Sequence, residues 1–203
     1  MLRKYLFFVI LLFSTPITTG IALAASADEA RQFVDGVGKQ VLNVINGGGS
    51  KEQQQKKLQQ MFVENIDIDW MEKFVLGRGW QQATEAQRNH YMQAYKQYLL
   101  VRYTTNFADY TGSKYTITGV KDEGDGQFTV SMQINSSNGQ QQQETQAGYR
   151  VHTTSNGHFK IIDIIVEGVS LITTERSEFA AILQQKGIDT LISDIEAKTK
   201  SAS

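Results

Sequence analysis

Three histidines, His90, His152 and His158, are the only imidazoles in the chain, and no two stand at the helical spacing that gathers ligands around a metal ion. His152 and His158 flank one turn signal, Asn156-Gly157, and can face each other across a hairpin. Exposed hairpin histidines are commoner than ligand pairs, so no metal site is expected. Asp163 and Glu167 form a carboxylate pair inside an apolar run. Four residues of extended chain hold them about 13 Å apart, too far for shared acid-base work unless the chain turns sharply. Ser170 follows Gly168-Val169 and is not set between glycines as in a nucleophile elbow. No glycine-rich phosphate loop follows a strand, and the absence of cysteine removes both disulfides and thiol chemistry. An enzyme reading therefore finds no residue set, and neither a catalytic residue nor a cofactor is expected. Asp163 still needs an account, because a carboxylate among isoleucines is costly unless it is paired or hydrogen-bonded. It is either a structural acid held by a nearby turn or by Arg78 or Arg150, or a contact for a polar headgroup or partner protein.

The element that carries Asp163 is unusual. Phe159, Ile161 and Ile165 are apolar at odd positions, and Ile162, Ile164 and Val166 at even ones. A half-buried strand alternates, so this one is expected to meet apolar material on both faces. It breaks at Glu167-Gly168, the expected bend into a helix that starts near Thr173 and Thr174 and runs over residues 175–186, stopped by Gly187. A last helix over 190–198 is expected to be capped by Asp189.

Earlier in the chain, apolar residues at three-to-four spacing predict a helix over 28–45, ended by Gly47-Gly48-Gly49. Ser50 caps a second helix bearing Leu58, Met61 and Phe62, and Asp69 caps a short one over 70–76 that Gly77 stops. Thr84-Glu85-Ala86-Gln87 is a capping-box pattern opening the longest helix, 85–110, with Gly112 as its stop. The period then switches to two. Strands are expected over 115–120, at Phe128 to Ile134 with strict alternation, and around Tyr149 and Val151. Gly124-Asp125-Gly126, Asn138-Gly139 and Asn156-Gly157 supply the turns, and residues 140–143 a polar hairpin arm. Helices, then a four-stranded antiparallel meander, then helices predict an α+β fold with helices packed on a curved sheet.

The N-terminus has the composition of an export signal: Arg3 and Lys4, the apolar run 6–13, and Ala22-Leu23-Ala24 as a cleavage site. Cleavage is expected after Ala24 or one to three residues later, leaving residues 25–203 as a single domain. The apolar run is shorter than the roughly 20 residues that span a bilayer. Loss of Arg3 and Lys4 from 20 basic residues leaves 18 against 21 acidic ones, a net charge of −3. That balance offers no electrostatic grip on nucleic acid or an anionic membrane.

Three segments together resemble one family. They are Phe74-Val75-Leu76-Gly77-Arg78-Gly79-Trp80 with Ala83-Thr84-Glu85-Ala86-Gln87-Arg88; Asp163 with Val166-Glu167-Gly168-Val169-Ser170-Leu171 and Arg176; and Lys186-Gly187-Ile188-Asp189 with Leu191. In this order they resemble the MlaC-type periplasmic phospholipid carriers, the toluene-tolerance auxiliary proteins, over nearly the whole chain after the leader. Gly79 stands where the family has an aromatic, and Phe159 where a tryptophan is common.

The resemblance implies a curved, NTF2-like sheet with an apolar cavity between it and the helices. It also implies a periplasmic carrier of glycerophospholipid between the inner and outer membranes, maintaining outer-membrane lipid asymmetry. Its implied partners are an inner-membrane ABC transporter complex with an MCE-domain protein and an outer-membrane lipoprotein associated with porins. The chain is expected to act as a monomer, without cofactor. Pocket-lining residues are expected at Val75, Leu76, Trp80, Tyr95, Leu99, Tyr103, Met132, Tyr149, Val151, Ile162, Ile164, Val166, Val169 and Leu171. The competing readings are an exported protein-binding module without lipid, and an enzyme acting on a lipid or an apolar solvent.

Overall fold

The computed structural model describes residues 26–105, 107–138 and 141–202. The expected leader over residues 1–24 and the Asn138-Gly139 turn with its polar arm fall wholly or partly outside them. The first helix, α1 (Ala27–Asn46), begins on a Ser26 capping box closed by Glu29, and α2 (Lys51–Asn65) on a Ser50 box closed by Gln53. The short helix α3 (Ile68–Leu76) starts two residues earlier than expected. Asp67, not Asp69, caps it, because the Asp67 side chain accepts from Trp70 N while Asp67 N donates to Ile161 O on the sheet. A further helix, α4 (Arg78–Gln82), had no expectation in the sequence and follows directly.

The predicted Thr84 box opens α5 (Glu85–Thr104), but this helix stops well short of residue 110. The hydroxyls of Thr104 and Thr105 donate to the carbonyls of Leu100 and Val101 four residues back, a side-chain bond that competes with helix propagation. A 3-10 turn (Phe107–Tyr110) follows, and Gly112 (φ 75°) turns the chain into the sheet instead of ending the helix.

The sheet runs in sequence order, β1 (Lys114–Gly124), β2 (Gln127–Asn138), β3 (Gln141–Thr153), β4 (Phe159–Val166) and β5 (Val169–Ser170), all antiparallel. The fifth strand, only two residues long, was not expected. It forms because Glu167 (φ 48°) and Gly168 (φ 79°) make a two-residue reverse turn that brings Val169 back against Val166. Extra residues at Thr118 and Glu123 in β1 and at Ile162 in β4 interrupt the register. Such bulges bend strands and increase their twist, which gives the sheet its curvature.

Ser170 then caps α6 (Leu171–Lys186), which begins some four residues before the predicted start because its hydroxyl accepts from Thr173 N at 3.1 Å. The last helix, α7 (Ile188–Ser201), follows Gly187 directly, and Asp189 sits in its first turn, bonded to Gln87. Helix α1 packs on β1 and β2, α3 and α6 on β4, and α5 against α2, α3 and α7. The shared core includes Val34, Leu76, Tyr91, Tyr95, Leu99, Val130, Val151, Ile161, Phe179 and Leu191.

Candidate functional site

The bulge explains the strand that is apolar on both sides. Val151 pairs with Ile161 and Arg150 with Asp163, so Ile162 is the extra residue between them. Adding one residue shifts the phase of the pleat, and residues three apart come to one side. Ile161 and Ile164 accordingly line the same apolar cleft, while Ile165 faces Gly148 and Thr129 across the sheet. The cleft lies between β4 and the helices: Phe62 of α2, Ile66 just before α3, Met71 of α3, Tyr103 of α5, and Leu171, Ile172 and Glu175 of α6 complete its wall with Asp163. Side chains nearly fill it, leaving a volume of about 10 Å³, room for one water.

Asp163 is a structural acid of the kind expected. It is 1% exposed, accepts from Ser170 Oγ at 2.7 Å and from Ile172 N at 3.2 Å, and lies 3.4 Å from Arg150 Nη1. The carboxylate therefore ties the start of α6 to the sheet and satisfies a buried helix-terminal N–H. Glu167 is no acid-base partner to it, since its carboxylate accepts from Gln146 N at 2.7 Å. Arg150, not Arg78, supplies the cation.

The remaining motif residues clamp helix ends. Gly77 (φ 54°) holds a backbone shape that side chains resist, and a Cβ there would stand 3.3 Å from the Arg176 guanidinium. Arg176 donates to Phe74 O at 2.7 Å and stacks 4.5 Å from the Phe74 ring. Arg88 donates to Trp80 O at 2.7 Å and covers the Trp80 indole. Gly79 is buried, and a Cβ on it would lie 2.9 Å from Leu183, so α6 occupies the space an aromatic side chain would need.

Of the residues expected to line a pocket, Tyr103, Ile164 and Leu171 border the cleft. Val75, Leu76, Tyr95, Leu99, Met132 and Val151 belong to the core around it, with Tyr149 packed against that core beside Ile164. Ile162 is buried at the bulge, Trp80 lies between Lys73 and Arg88, Val166 is half-buried at the end of β4, and Val169 is 54% exposed. Phe62, Ile66, Met71, Ile161, Ile172 and Glu175 join the lining without having been expected there. Phe62 lies on a predicted apolar helix face; Glu175 had no sequence signal, because its position depends on where α6 starts.

Glu175 is the polar end of the cleft. It accepts from the Tyr95 hydroxyl at 2.5 Å, and burial raises its carboxyl above the ordinary carboxylate range. The Tyr98 and Tyr103 hydroxyls beside it are pushed up to about 12, chiefly by burial. The histidines do not meet one another. His152 bonds Asp67 at 2.7 Å and leans on Trp70, His90 bonds Glu196 at 2.8 Å, and His158 is exposed. Among the described residues no group of three metal-ligating side chains comes together, and no helix is long and apolar enough to cross a membrane.

Glu72 on α3 is a second buried acid, 2% exposed, and among the described residues its Oε1 has no hydrogen-bond partner. Burial, with Asp69 nearby, pushes its carboxyl up from 4.5 to about 7. The folded state then holds this proton more tightly than the unfolded chain. Its contribution is full below about 4.5 and is lost as pH rises through about 7. Glu72→Gln is expected to flatten the fall in melting temperature over that pH window. An unchanged slope in thermal melts would show that the loss lies elsewhere.

A curved antiparallel sheet under a helical layer, with an apolar cleft ending in a Glu–Tyr cluster, defines an α+β domain whose helices pack on one sheet. The family comparison agrees with that class: the model described as "MlaC protein" matches residues 35–197, and the chain belongs to the MlaC family. Over 132 residues it is 24% identical to the intermembrane phospholipid transport system binding protein MlaC of Haemophilus influenzae. That alignment covers 64% of this chain and 61% of the relative, so the chain matches about three fifths of that protein's length. The fold is similar to that of a phospholipid-binding protein from Ralstonia solanacearum, solved in complex with a phospholipid. The TM-score is 0.73 at 23% identity, over 86% of this chain and 98% of the other.

Proposed function

We propose that this protein is a periplasmic carrier that takes up the acyl chains of a glycerophospholipid between β4 and the helices and moves the lipid between the inner and outer membranes. The observation that carries the reading is the apolar cleft itself, which the β4 bulge lines with Ile161 and Ile164 from one side and the helices close from the other. Residues 1–24 serve as an export signal, and residues 25–203 form one lipid-binding domain that works as a monomer. Its partners are a transporter complex of the inner membrane that includes an MCE-domain protein and a lipoprotein–porin complex of the outer membrane. Movement of phospholipid between the two membranes would maintain the lipid asymmetry of the outer one.

The physical need for such a carrier is large. At about 0.8 kcal/mol per methylene, two chains of roughly 30 methylenes together favour an apolar site over water by about 24 kcal/mol. Enclosing them takes about 800 Å³, within the roughly 300–1,000 Å³ of known ligand cavities. The cleft at about 10 Å³ is far smaller, so uptake requires α2, α5 and α6 to move away from β4. Binding by burial calls for no catalytic group, and the carboxylates here are engaged as structural acceptors.

Native mass spectrometry of the protein purified from cells with intact envelopes tests the reading. A 1:1 complex with phospholipid is the expected result. Protein that emerges without lipid, and takes none from vesicles after delipidation, would leave a protein-binding module as the better account.

A further inference from the structure

We infer that Arg102, held at the rim of the cleft by two tyrosines, receives the phosphodiester of the bound lipid. This rests on the carrier reading and adds to it a site for the headgroup. Tyr103 and Glu175 line the cleft. Arg102, one residue before Tyr103, is exposed, and its guanidinium lies 5.6 Å from the Tyr98 ring and 5.9 Å from the Tyr103 ring. It therefore stands where the cleft wall meets solvent.

What orients it is a phenol. Arg102 Nη1 donates to the Tyr98 hydroxyl, and Glu175, the acceptor of the Tyr95 hydroxyl, stands nearby. A phenol has one proton to give and lone pairs to receive. Tyr98 receives from the guanidinium, so the cation is positioned without being neutralised by direct contact with a carboxylate. Among the described residues no carboxylate lies within ion-pair distance of Arg102. Most of its five N–H donors remain for a ligand, and their planar fork matches two oxygens of a phosphate.

The other well-placed arginines are engaged. Arg88 and Arg176 bind the helix-end carbonyls of Trp80 and Phe74, and Arg150 pairs with Asp163. Acyl chains on the floor formed by Ile66, Met71, Ile161 and Ile172 would leave the glycerophosphate at this rim.

The test separates phosphate recognition from tail burial. Delipidated protein is offered an equimolar mixture of dioleoylphosphatidylglycerol and dioleoylglycerol, which share tails and differ in the phosphate. Wild-type protein is expected to favour the phospholipid about tenfold, the factor that 1.4 kcal/mol gives. In Arg102→Gln the ratio should fall to near one, with dioleoylglycerol uptake unchanged, whereas Arg102→Lys should keep part of the preference. Circular dichroism and thermal melts of both variants confirm that they fold. A wild-type ratio in Arg102→Gln would overturn the site. Uptake of neither lipid by wild-type protein would overturn the carrier reading with it. Inorganic phosphate alone, followed by the Arg102 side-chain NMR resonance, should cause no saturable shift; a shift would reassign the site to free phosphate and overturn the lipid assignment.

Discussion

Ile164→Arg is expected to reduce the phospholipid recovered with the protein about tenfold or more while the fold persists. Ile164 borders the cleft and pairs with Tyr149 on β3. An arginine there would put a guanidinium among the tails, where desolvation opposes the charge. The position is half-buried, so the long side chain can carry its charged end toward water and the domain need not unfold. Ile165→Arg is the control, because Ile165 lies on the opposite side of the strand against Gly148 and Thr129. Both variants would be compared by extraction and mass analysis of co-purified lipid, with thermal melts to verify folding. Equal lipid recovery from the two would mean that the tails do not run along β4.

Asp163→Ala carries the largest expected loss of stability, about 3 kcal/mol, because it strands buried groups as well as removing bonds. The Ile172 N–H at the start of α6 would lose its acceptor in a site closed to water, and Ser170 Oγ and Arg150 would each lose a partner. For a domain of this size that corresponds to a melting temperature lower by roughly 6–12 °C. Asp163→Asn keeps one acceptor oxygen and should fall between the two. Ser170→Ala removes the cap of α6 and one of the bonds to Asp163, leaves the Ile172 N–H its acceptor, and should cost less, about 1–2 kcal/mol. An Asp163→Ala protein that melts like wild type would mean that the carboxylate does not anchor the helix to the sheet.

Much of the fold was legible wherever a local rule decides the outcome. The Thr84–Gln87 box, the strict alternation of Phe128 to Ile134 and the turn at Asn156-Gly157 each depend on residues within a few positions of one another. The failures arise where a distant partner decides. Asp67 and Asp69 are equivalent candidates for a cap until Ile161 O accepts from Asp67 N and fixes the first of them. The hydroxyls of Thr104 and Thr105 shorten α5 against a favourable apolar pattern. In β4 the apolar run was read as a strand buried on both faces, and burial is part of it. The bulge at Ile162 does the rest by carrying Ile161 and Ile164 to one side. A pattern of period two cannot reveal a residue that breaks the period. The cleft suffered most from this, because its walls come from five separate elements, and Ile66, Ile172 and Glu175 join it only through the tertiary arrangement.

The narrowness of the cleft bears on how quickly such a carrier could load and unload. A protein whose walls close on each other can cross an aqueous compartment unladen without presenting a sticky groove to other proteins or to its own copies. Closure also sets a reorganisation free energy that subtracts from the lipid's affinity, and each 1.4 kcal/mol of it weakens the apparent binding tenfold. The tails' preference for any apolar site over water is large enough to absorb such a subtraction. What the subtraction reduces is the difference between the protein and a membrane or acceptor that offers the tails an equally apolar home. For the carrier proposed above, closure would thus keep the lipid exchangeable at each end of the journey, so that hand-over becomes a competition between near-equals.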